Sequence, residues 1–283
     1  MKKNSITLVV VMFLLGSLFS ANGQNIAVNT TNESDKTKNT TTKKDTNLKT
    51  MTWTTKSEAA KELAIEGSKH IMNVELEQGY QKFSNALKID PDFTVALVFM
   101  SNLARGEARK VYSEKAIKSA INKTEGEKLF ASLADSSGTQ ETRRETWSKL
   151  HSMFPDGAMI GHYYVVTRAT PEERFTAAEN YIKQFPDNAA MYNTMAYYYL
   201  QDKKDPVTAK KYFDKYLALY PEGTNPYDSM GEYYLLSGDK ENAKKYYKMA
   251  VEKYPFYNSS VNALDKMTEE ELKMKEEKKT DKP

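Results

Sequence analysis

The chain has no cysteine, so it forms no disulfide, offers no thiolate to a metal, and has neither a cysteine nucleophile nor a thiol for lipid attachment. Histidine is nearly as scarce. The three present, His70, His151 and His162, stand in no metal-ligand or HExxH spacing. No glycine-rich loop follows a strand, no GxSxG elbow occurs, and no stretch reads convincingly as a strand. A strong excess of one charge is missing as well. The formal net charge is +3, but residues 1–56 hold eight lysines against Glu33, Asp35 and Asp45, which leaves residues 57–283 at −2. A near-neutral body gives no electrostatic footprint for nucleic acid. Carboxylate pairs such as Glu172/Glu173 and Glu269/Glu270 fall at exposed helix starts, where they favour the helix dipole rather than acid–base work. The expectation is a protein with no enzymatic activity, no cofactor and no metal.

Tyrosine, by contrast, is abundant, with 19 residues against 2 tryptophans. Its ring buries between helices while its hydroxyl reaches water or a partner. The most ordered pattern lies between Thr224 and Tyr257. Tyr227, Met230 and Tyr234 recur at helical spacing; Gly231 allows a close helix approach; Gly238 with Asp239 ends the helix. Ala243, Tyr247 and Ala250 form the facing stripe of a second helix, and Pro255 stops it. The same layout recurs upstream. Leu63, Gly67 and His70 lead to Phe83, Ala86 and Pro91, and Tyr192, Met195 and Ala196 lead to Phe213, Tyr216 and Pro221. Pro91 and Pro155 stand 64 residues apart, and the following proline intervals are 31, 35 and 34.

This set and spacing resemble the tetratricopeptide repeat, a 34-residue helix–turn–helix unit. The resemblance implies an all-α, right-handed superhelical solenoid of antiparallel helix pairs. Residues 57–257 would form five to six repeats, the matches being weakest over 101–123 and 134–143. Residues 258–283 would form a capping helix and charged tail: Ser259 or Ser260 caps a helix bearing Val261, Leu264 and Met267, with a second capping box at Thr268 and Glu271.

Ahead of the repeats, residues 1–23 read as a secretory signal: Lys2 and Lys3, the 14-residue apolar run Ile6 to Phe19, then Ala21-Asn22-Gly23. Fourteen residues fall short of the ~20 that span a bilayer. Export to a periplasm, envelope or exterior follows, with no stable membrane span after cleavage. Residues 24–56, rich in Thr, Asn and Lys, read as a disordered linker.

In the proteins that this sequence resembles, a concave groove lined by the first helices binds protein or peptide. The corresponding residues here include Asn102, Arg105, Lys128, His162, Asn193, Tyr197, Gln201, Asp228 and Glu232. Ala64 and Ser68 stand where chaperone-binding members need a Lys/Asn clamp, so that specialisation is excluded. Two rival readings are a glycan or lipid carrier using the Tyr-rich C-terminal repeats and an envelope component that self-associates. A closed apolar pocket would favour the first. The sequence sets no oligomeric state.

Overall fold

A computed structural model describes residues 48–280; the expected signal sequence and most of the expected linker lie outside the described residues. The architecture is six helical hairpins and a closing helix, packed in sequence order. The hairpins are α1 (Glu58–Met72) with α2 (Leu76–Ile89), α3 (Thr94–Leu103) with α4 (Gly106–Ser119), and α5 (Glu125–Ala131) with α6 (Gln140–Met153). They continue with α7 (Ala158–Val166) and α8 (Pro171–Gln184), α9 (Ala189–Tyr197) and α10 (Pro206–Leu219), and α11 (Asn225–Leu236) and α12 (Lys240–Lys253). The last helix, α13 (Asn258–Thr280), seals α12. Both regions of weak pattern, 101–123 and 134–143, resolve into hairpins, so the array has six units.

Local chemistry sets most boundaries. Thr124 and Thr170 form reciprocal capping boxes with Glu127 and Glu173, and Pro171 occupies the first turn of α8. Asp205 and Asp239 cap α10 and α12 through side-chain oxygens. Gly238, at φ +83°, ends α11, with Asp239 N–H donating to Tyr234 O at 2.9 Å. Within a hairpin the small residue meets an aromatic ring: a methyl placed on Gly231 would lie 2.6 Å from the Tyr247 ring, and one on Gly161 would lie 2.9 Å from Tyr181. The tyrosines largely fill the gaps between helices, as in the stacked pairs Tyr199–Tyr212 and Tyr234–Tyr246.

Three expectations need correction. Ser259 and Ser260 do not cap α13, which already begins at Asn258; their hydroxyls donate to the Asp228 carboxylate at 3.0 and 2.6 Å. Thr268 starts no new helix but bonds Leu264 O one turn back within α13. Residues 48–56, placed in the linker by composition, run along the repeats. Met51 is buried beside Phe154 and Gly126, and Trp53 packs on Phe93. Lys49 N–H donates to Asp156 Oδ2, Thr54 N–H to Glu127 Oε1 and Lys56 N–H to Asp90 Oδ2, at 2.8 to 2.9 Å. Each acceptor sits in or beside a turn between units, so this strap ties successive turns together. Two apolar anchors in a polar stretch are too few for a periodicity to reveal.

The array also meets itself. The α1–α2 turn reaches the turn between α10 and α11, some 150 residues away in sequence. Glu75, 1% exposed, accepts from Thr224 N–H at 2.5 Å, Asn225 N–H at 3.2 Å and the Tyr220 hydroxyl at 2.8 Å, with His70 Nδ1 at 2.6 Å. A carboxylate at the start of α11 also suits that helix's dipole. Tyr257 donates its hydroxyl to Asn225 Oδ1 at 2.7 Å, and Val74 takes φ +62° to carry the backbone into Glu75.

Candidate functional site

Burial divides the first-helix residues expected to line a groove. His162, Asn193, Tyr197 and Asp228 are buried; Asn102, Gln201 and Glu232 are half-buried; Arg105 and Lys128 are exposed. Ala64, Ser68 and Val98, from the same face of the first two units, are buried too, and α1 touches α7. This face is therefore packed over much of its length.

Several of these residues are already engaged. Tyr197 donates its hydroxyl to Glu232 Oε2 at 2.6 Å, and burial holds the Glu232 carboxyl above the usual carboxylate range. Burial pushes Asp228 up to about 6 despite its two serine donors. His162 is held down to about 4 by burial alone, its Nδ1 unpartnered. Asn102 Oδ1 takes Arg143 Nη1 at 3.4 Å, and Lys128 pairs with Glu125 one turn back. The structure thus gathers Tyr197, Asp228 and Glu232 into one internal cluster, while Arg105 and Lys128 stand apart from it.

An open concavity lies on the third and fourth hairpins. A cleft of about 790 Å³ runs between α6 and α8 with α7 as its floor. Helix α6 turns Trp147 and Leu150 into the core, leaving Arg144, Ser148 and His151 as a stripe at helical spacing. From α7 come Gly161, Tyr164 and Val165, followed by Arg168; α8 supplies Glu172, Glu173, Asn180, Tyr181 and Gln184. Tyr181 lies over Gly161 and donates its hydroxyl to Ala158 O at 3.0 Å, seating α8 low against α7.

Tyr164 organises the basic end. The His151 ring stacks on it at 4.3 Å, and the Arg168 guanidinium sits 4.1 Å from its centroid. Arg168 donates Nε–H to Tyr164 O at 2.9 Å and Nη2–H to Ser148 Oγ at 2.9 Å. Arg144 donates only Nε–H, to Thr167 O at 3.1 Å. Burial and the neighbouring Arg168 charge keep His151 below the usual imidazole range, and its Nδ1 is buried without a partner. At the same end, where α8 begins beside Arg168, Glu173 accepts from Ala169 N–H and Thr170 N–H, while Glu172 is exposed. Among the described residues no three acidic or histidine side chains gather as metal ligands, and no helix is long and apolar enough to cross a membrane.

Sequence reasoning missed this site because it follows the second helices, whereas the resemblance directs attention to the first. The available signal was the Arg144/Ser148/His151 stripe on a helix whose opposite side is apolar.

Six consecutive hairpins, with a small residue of one helix set under an aromatic ring of the next in units one, four and six, decide the architecture. The fold is that of tetratricopeptide-repeat proteins. No protein-family model and no curated protein matches the sequence. Among solved structures it is similar to TTC0263, a thermophilic TPR protein of Thermus thermophilus, with 14% identity, TM-score 0.42, and coverage of 74% of this protein and 98% of that one. It is likewise similar to PilW, a type IV pilus biogenesis factor, at 12% identity and TM-score 0.44, covering 74% and 99% of the two proteins. MamA aligns at 17% identity and TM-score 0.35, covering 69% of this protein and 92% of that one.

Proposed function

We propose that this tetratricopeptide-repeat array is an exported, non-catalytic scaffold that binds a protein or peptide, and that the α6–α8 cleft is its recognition surface. The observation that carries this reading is the cleft itself. Its volume of about 790 Å³ lies within the range of ligand sites, and its floor and walls are helices held by the packed core. The polar groups around Tyr164 supply orientation, and the half-buried Tyr164 and Ala177 supply apolar contact area. Export rests on the charged start, short apolar run and small-residue site of residues 1–23.

The test is site-specific photo-cross-linking in the native host with the full-length protein. A photo-reactive residue at Asn180, exposed on the cleft wall, should give a discrete adduct with a protein, whereas one at Lys245, exposed on α12, should not. Adducts from Lys245 with none from Asn180 would move recognition away from the cleft.

A further inference from the structure

We propose that a second cavity, walled by Phe99, Phe130, Leu133, Trp147 and Tyr163, binds an uncharged small molecule: one aromatic ring carrying an oxygen acceptor for the Tyr163 hydroxyl. It lies where α3, α5 and α7 meet the apolar side of α6, on a different face of that helix from the cleft. The inference is independent of the peptide-binding reading.

The wall positions all carry aromatic or branched apolar side chains, and all five are buried. Trp147 stacks on Tyr163 at 4.6 Å, Phe130 meets Trp147 edge-on at 5.7 Å, and Phe99 lies 6.0 Å from both Phe130 and Tyr163. Between them the centre of a water-sized sphere has about 50 Å³ in which to move. One water needs roughly 10–15 Å³ on that measure, so there is room for a small ring rather than a length of chain. An apolar void forfeits dispersion contacts that a flat ring would restore. Water is a poor substitute, because it needs several polar partners and these walls are mostly carbon.

Two polar groups set the chemistry of the ligand. The Tyr163 hydroxyl is buried with no partner, and burial pushes its pKa up, so it keeps a proton to donate. Arg143 stands half-buried at the rim with Asn102 and Val166. Its guanidinium donates to Leu133 O at 2.9 Å, Asp135 O at 3.1 Å and Asn102 Oδ1 at 3.4 Å, which fixes its charge there. That charge repels an ammonium group, which the aromatic walls would otherwise attract. An anion would shed its water among carbon walls, with both terminal nitrogens of the guanidinium already engaged. A neutral ring bearing a carbonyl oxygen meets neither obstacle.

The experiment titrates the isotope-labelled full-length protein with acetophenone, isopropylbenzene, benzylammonium and N-acetyl-phenylalaninamide, following the two tryptophan indole N–H resonances by NMR. Acetophenone should shift Trp147 saturably and leave Trp53, which packs on Phe93 outside the cavity, unmoved. Isopropylbenzene has the same shape without the oxygen and should bind about tenfold more weakly, and benzylammonium should not bind. Tyr163→Phe keeps the ring and removes the hydroxyl, so it should reduce acetophenone to the isopropylbenzene level. The proposal is overturned if no neutral ring shifts Trp147, if isopropylbenzene or benzylammonium binds as well as acetophenone, or if folded Tyr163→Phe protein binds acetophenone unchanged. Tighter binding of N-acetyl-phenylalaninamide than of acetophenone would also overturn it, by assigning the cavity to a partner's side chain. None of these results bears on the Asn180 cross-link, which tests the cleft alone.

Discussion

The junction around Glu75 and the cleft around Arg168 are both polar, both lie between helices, and both bring an ionised group together with tyrosine. They differ in what is left over. At the junction the Glu75 carboxylate has four partners drawn from both ends of the array. In the cleft, two guanidiniums and an imidazole keep unused nitrogen positions. A saturated polar cluster fixes one geometry, because each member would be left stranded if it opened. An unsaturated one at a surface leaves its donors to water and free to exchange partners.

The comparison breaks most sharply at Glu75. Glu75→Ala strands two backbone N–H groups and a tyrosine hydroxyl, and should lower unfolding free energy by about 3 kcal/mol or more in urea titrations. A loss below about 1 kcal/mol would mean the two ends meet without holding each other.

Next in size is a pair of opposed pH effects near neutral pH. Asp228, raised by burial to about 6, binds an extra proton in the folded state between its unfolded value of about 3.9 and that pH. Its contribution therefore decreases as pH rises through that window, by roughly 3 kcal/mol. His162, lowered to about 4, stabilises the neutral side and loses that contribution as pH falls from about 6.5 towards 4. The two nearly cancel. Asp228→Asn should make stability fall on acidification across this range, and His162→Gln should make it rise, both read from urea midpoints at several pH values.

A smaller, stabilising change sharpens the junction's geometry. Val74, β-branched at φ +62°, sits in the left-handed region; Val74→Gly should raise stability by about 1 kcal/mol if the turn keeps its shape. At the bottom of the scale, Arg144→Gln in the cleft should shift the melting temperature hardly at all, because the residue contributes a single hydrogen bond to the fold. A large loss there would make the cleft a structural cluster like the junction.

Helix identity and order were legible because a hairpin repeat writes itself locally: small against aromatic, then a capped turn, then proline near the end. Gly231 with Tyr247 and Gly67 with Phe83 could be paired on spacing alone. Contacts that join distant segments left no such trace. Glu75 reads as one more exposed acid until Thr224 and Asn225 are brought to it, and the strap's Met51 and Trp53 lie in a stretch whose composition is polar. The expected groove positions were placed by analogy with the first helices, but spacing cannot show that His162, Asn193 and Asp228 are packed inside. The cleft arginines went unnoticed for the complementary reason, since Arg144 and Arg168 belong to different elements and meet only once the hairpins pack, where Arg168 Nη2–H donates to Arg144 O.

Asp156 ties the strap to the cleft. One of its carboxylate oxygens receives Lys49 N–H at 2.8 Å and the other receives Gln184 Nε2 at 3.2 Å, at the far end of α8. The strap thus passes beside the far end of the proposed recognition cleft. Tension drawn through Leu48 would be felt first at that carboxylate, whose other oxygen holds the last turn of α8.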